Sequence, residues 1–145
     1  MLWHIGRWED AIVNVALHAE PEVLDRDDWL PRLGMDTRSA GIGWTPEEVD
    51  AFSTKIDIDA LHAYRWAVAE QTRASLTAAD LANLDEAIPG AVERMYASGV
   101  VNPETYPFLP TRQRRWFVAY GLMGHPFVHL GEADHVRSLI KRIAK

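Results

Sequence analysis

Residues 124–132 read GHPFVHLGE, and this stretch sits inside an apolar segment that runs towards the C-terminus. On an α-helix, side chains at i and i+4 lie one above the other, so His125 and His129 would present two imidazoles on one face. The surrounding positions extend that face as Val118, Leu122, His125, His129, Glu132, Val136, Ile140 and Ile143. Five aliphatics, two histidines and a glutamate at three- and four-residue spacing predict a long last helix starting near Thr111. Pro126 conflicts with an unbroken helix, because it removes the hydrogen bond to Leu122 and clashes with that carbonyl at about 3 kcal/mol. A kink or restart is therefore expected between Gly121 and Pro126.

Spacing alone is weak support for a metal site. With 6 His in 145 residues, random placement gives about 0.2 such pairs per chain, so the pair needs a third ligand. The start of the chain supplies one. His4, Trp8, Ile12 and Val15 form a helical stripe that turns His4 towards the core, with Pro21 closing the helix after Glu20. His4, His125 and His129 would make a three-nitrogen site for a borderline divalent metal such as zinc or nickel. The competing reading of each is a core imidazole satisfied by a hydrogen bond. Glu132 shares the face and would order an imidazole, ligate or shuttle a proton, or else pair with an arginine. His18, His62 and His135 fall on polar or terminal positions and read as solvated.

Several motifs fail on inspection. The HEXXH zinc helix has the same histidine spacing, but Pro126 occupies the place of the general-base glutamate. No GXSXG elbow is present, and Gly41–Gly43 reads as a turn rather than a phosphate loop. Trp3, Trp8, Trp66 and Trp116 read as core or groove packing, whereas Trp29 and Trp44 are better placed to line a ligand mouth.

Between the two histidine segments, residues 21–44 form an ordered crossover anchored by Trp29, Leu30, Leu33 and Trp44. Thr45-Pro46-Glu47-Glu48 predicts a capped short helix over about 46–53. Asp57 or Asp59 caps a further helix to about Ser75, and Thr77–Asp80 opens another short helical piece ended by Pro89-Gly90. A further helical turn is expected near 91–97, and residues 98–110 form a loop pinned by Tyr106 and Phe108.

Composition bounds the function. A chain of 145 residues with 48% hydrophobic and 25% charged residues is sized for one soluble all-α domain spanning 1–145. Its net charge of -6 argues against a nucleic-acid partner. It has no apolar run long enough for a bilayer and no signal peptide, so a cytoplasmic location follows. With Cys 0, any thiol chemistry must use an external thiol.

Four stretches, LWHIGRWED at 2–10, GIGWTPEEVDAF at 41–52, LHAYRWAVAEQTRASLTAADL at 61–81 and HPFVHLGEA at 125–133, resemble the DinB/YfiT-like superfamily of small helical-bundle metalloenzymes. The resemblance spans most of the chain in order, and His–Leu–Gly–Glu is its most specific piece. It implies an up-down-down-up helical bundle, often a homodimer, with the metal triad on His4, His125 and His129. It also implies metal-dependent transferase or isomerase chemistry on a small-molecule substrate, with a low-molecular-weight thiol such as bacillithiol or mycothiol. Glu132 would then serve in proton transfer. The family's first long helix has no counterpart here, so one bundle face is expected to be uncovered, to be met by a partner chain or an upstream segment. The alternatives are a metal-assisted hydrolase and a non-catalytic binding or dimerisation module.

Overall fold

The computed structural model describes residues 1–143, all of whose regular structure is helical. Helix α1, Leu2–Asp10, runs directly into a π-helical segment, Ala11–Leu17. A short 3-10 turn, Val23–Asp25, precedes α2, Trp29–Leu33. Helices α3, Pro46–Lys55, and α4, Ile58–Ser75, follow. Helix α5, Ala91–Ala97, and a 3-10 turn, Leu109–Thr111, lead to a second π-helical segment, Trp116–Gly124, and to α6, His125–Ile143.

Local chemistry explains the boundaries. At α3, Thr45 accepts from the Glu48 backbone while the Glu48 carboxylate accepts from the Thr45 backbone, a complete capping box with proline in the first turn. Asp57 caps α4 by accepting from Ala60 N at 2.8 Å. The helical piece expected from Thr77 does not form. Asp80 instead accepts from both the backbone and the hydroxyl of Thr77 at 2.8 and 2.9 Å, which closes a turn in place of a helix.

α1 and its π extension lie between two cores. On one side Trp3 packs with Leu24, Trp29, Leu33, Leu61, Tyr64 and Val68. On the other, Trp8, Ile12 and Val15 pack with Met95, Val100, Leu109 and Phe117. Trp29 is thus a core residue, not part of a ligand mouth, and Trp66 is 64% exposed where packing was expected. The cores are joined by a buried polar network. Arg7 donates to Glu22 at 2.8 Å, Tyr64 at 3.2 Å and Asp10 at 3.4 Å, while Asp10 accepts from Val23 N, Leu24 N, Asn14 and the Tyr64 hydroxyl. Arg38 adds a second cation to Glu22, so the crossover is held onto α1 by charge-assisted bonds.

The expected helix restart falls at the π-to-α change between Gly124 and His125. Pro126 thereby occupies the first turn of α6, following wide π turns in place of an α-helical interior. The second half of α6 departs from expectation. Val136, Ile140 and Ile143 were read as continuing a packed face, yet they are exposed, Ile143 by 85%, because among the described residues no element lies against them. No helix of the described residues is long and apolar enough to cross a membrane.

Candidate metal centre

His4, His125 and His129 converge although 121 positions separate the first two. His125 Nε2 lies 2.9 Å from His4 Nε2 and 3.0 Å from His129 Nε2. One donor nitrogen from each ring lies within 4.8 Å of the others. A tetrahedral ion with bonds of about 2.0–2.1 Å would set neighbouring nitrogens about 3.3 Å apart. The two short edges need only small ring rotations, whereas the widest span, within 4.8 Å, must close by up to about 1.5 Å for all three nitrogens to reach one ion.

The outer nitrogens of two rings are fixed. His4 Nδ1 lies 2.8 Å from the Ala40 carbonyl, which can only accept, so that nitrogen carries the proton and Nε2 carries the lone pair. His129 Nδ1 lies 2.6 Å from Glu132 Oε2, with the same consequence. His125 Nε2 thus faces two lone pairs, and any proton of its own can satisfy only one. His125 Nδ1 is buried without a partner, and packing against Trp8 and Tyr120 holds this ring. Burial lowers the pKa of both His4 and His125, with the neighbouring imidazoles adding to it, and His125 reaches about 4. Protons are thereby disfavoured on these two rings near neutral pH. With the His125 proton on Nδ1, three lone pairs would converge, a set that a divalent cation fits.

Ala40 is positioned by the crossover. Its N–H donates to Val100 O at 2.9 Å, and Trp3 Nε1 donates to the adjacent Ser39 O, so the chain runs along α1 within reach of His4. Gly41, at φ +80 against the Trp44 ring, then turns the backbone to bring Ile42 to the site. A cleft of about 530 Å³ opens on the triad, lined by His4, Ile42, Tyr106, Tyr120, Val128 and Glu132 among others.

Of the expected residues, Glu132 lies in this cleft and orients His129, with its side chain half exposed. Tyr106 reaches the cleft from the 98–110 loop. Trp44 does not, and instead lines a separate cleft with Met35, Phe52 and Lys55. His18, read as solvated, is largely buried and bonded to Asp80 at 3.0 Å. Tyr120 and the Ala40 carbonyl were not foreseen. Tyr120 stands five residues before His125, a spacing that brings rings together on a π-helix but not by α-helical counting.

Comparison with protein-family models, with curated proteins and with solved structures returns no match.

Proposed function

We propose that His4, His125 and His129 hold a divalent metal ion, zinc or nickel, and that the chain is a metal-dependent transferase of the DinB/YfiT-like kind. The observation that carries this reading is the convergence of three Nε2 atoms, two of them on rings whose outer nitrogens are fixed by Ala40 and Glu132. Such an ion would lower the pKa of a bound thiol or water by its charge. The cosubstrate is a low-molecular-weight thiol, consistent with a chain that has Cys 0 and works in a thiol-rich compartment such as the cytoplasm.

The chain's own residues do the rest. Tyr106, Tyr120, Ile42 and Val128 exclude water around the reacting atoms and orient the electrophile. Glu132 holds His129 in one tautomer through one carboxylate oxygen and would take up the thiol proton on the other; as the sulfur–carbon bond forms, the bond from that carbon to its leaving group breaks, and the leaving group departs with the proton. Metal analysis of untagged protein, followed by an electrophile panel with and without added thiol, tests the reading. Bound metal and thiol-dependent turnover are expected, whereas turnover without thiol assigns a hydrolase.

A second copy of the chain is proposed to cover the exposed apolar face of α6. Its charges suit antiparallel self-pairing, with Glu132 and Asp134 in the first half of the helix and Arg137, Lys141 and Arg142 in the second.

A further inference from the structure

The two phenols of the triad cleft differ from the other tyrosines of the chain. Tyr64 donates its hydroxyl to Asp10 at 2.7 Å, and Tyr96 donates its own to the Tyr106 carbonyl at 2.7 Å. Tyr106 and Tyr120 line the cleft, and among the described residues neither hydroxyl meets a protein partner. Their rings are held all the same. Tyr106 lies 5.1 Å from Trp8, while Tyr120 lies 5.4 Å from Trp116 and 5.9 Å from His125.

Among the described residues the cleft offers a ligand no other free side-chain donor. Met1, Gly41, Ile42 and Val128 carry none, and Glu132 is an acceptor. The outer N–H groups of His4 and His129 are taken by Ala40 and Glu132, the inner nitrogens face one another, and His125 Nδ1 is buried. A phenol is protonated near neutral pH and therefore donates. Burial holds the Tyr106 proton to still higher pH, and a charge on nearby Tyr120 would add to this. Two held hydroxyls in one cleft suit a single oxygen that gains negative charge and has lone pairs for both.

We infer that Tyr106 and Tyr120 are paired donors to the oxygen displaced in the reaction, and that the electrophile is an epoxide with an apolar body seated on Ile42 and Val128. The inference rests on the reading of the triad as the reacting centre. As the sulfur–carbon bond forms, the carbon–oxygen bond of the ring breaks and its electron pair goes to the oxygen. The proton that left the thiol ends on that oxygen, so thiol and epoxide give one hydroxy thioether with nothing released. An alkoxide leaves carbon poorly unless donors stabilise it, whereas a halide departs with little help. Ring strain supplies the driving force that an open ether lacks.

Two arms separate the inference from that reading. The first uses metal-free protein and para-nitrophenolate, whose charged oxygen accepts two hydrogen bonds, with titration calorimetry at mildly alkaline pH as the readout. Tyr106→Phe and Tyr120→Phe should each weaken binding by about tenfold, as loss of a hydrogen bond to a charged group implies, with circular dichroism reporting whether each variant is folded. Binding unchanged in either variant would overturn the pairing, whatever the metal result. The second arm uses zinc-loaded protein and mercaptoethanol, and compares styrene oxide with benzyl chloride. The ratio of kcat/KM for the epoxide to that for the chloride should fall by about 10- to 100-fold in each variant, with zinc content measured alongside. An unchanged ratio would overturn the inference, as would a larger loss with cyclohexenone, whose oxygen gains charge without being displaced. Absence of zinc binding would defeat the metal reading and leave the first arm to decide on the tyrosines.

Discussion

His4 Nε2 and His125 Nε2 meet at 2.9 Å, one on the first turn of α1 and the other on the first residue of α6. Two helix starts are thereby fixed against each other at a point where His129 also arrives. If these imidazoles only filled a core, His125 Nε2 could donate to one neighbour and the other lone pair would be left unsatisfied.

Removing ligands and removing their support should differ. His129→Ala is expected to abolish stoichiometric metal, whereas Glu132→Gln should weaken it by roughly 10- to 100-fold, as loss of an outer partner does elsewhere. Chelator competition followed by elemental analysis separates the two. Equal retention in both variants would remove His129 from the site.

Metal-free protein should lose stability on mild acidification. The folded pKa of His125 is lowered from 6.5 to about 4, so the unfolded chain binds more protons between those values. Stability therefore falls as pH drops through that window and is recovered as pH rises. His4 shifts in the same direction. The thermal midpoint is expected to fall by roughly several degrees between pH 6.5 and 4, and His125→Gln should flatten the slope.

The Arg7 network should be intolerant of partial removal. Arg7→Met leaves Asp10 and Glu22 buried beside Tyr64 with the network's central cation gone, a change that costs about 3–5 kcal/mol in comparable pairs. Tyr64→Phe removes a single donor and should cost about 1 kcal/mol. Urea unfolding of both variants tests the ranking.

Gly121 sets how closely the two π segments approach. A Cβ there would collide with Ile12 Cδ1, which is held in the core. Gly121→Ala is expected to lower both stability and metal affinity by shifting His125, and Ile12→Val, which deletes the offending methyl, should restore part of each. A lack of rescue in the double variant would show that the effect of Gly121 lies elsewhere.

If a second copy covers α6, Ile140→Glu should convert a dimer to a monomer in sedimentation velocity, since Ile140 is 61% exposed in the single chain. A native chain that sediments as a monomer at micromolar concentration would exclude that arrangement.

Much of the helical content could be read directly. The capping box at Thr45, the Asp57 cap and the His4–Trp8–Ile12–Val15 stripe announce α3, α4 and α1, because caps and periodicity act over three or four residues. The turn at Thr77–Asp80 was misread for a related reason: Asp80 bonds back to Thr77, as in a helix start, but the chain then turns away. The exposed half of α6 was misread too, since an apolar stripe states which face wants burial and not whether anything covers it.

The histidines themselves, their helical spacing and the absence of cysteine were fixed by the chain's local order. Their convergence was decided only in three dimensions, because bringing His4 to His125 depends on two π segments packing through Ile12 and Gly121. The tautomer of His4, too, follows from a carbonyl at Ala40 that any residue type would offer. Side-chain identity is written in sequence, but the direction in which a lone pair points depends on packing between residues far apart in the chain.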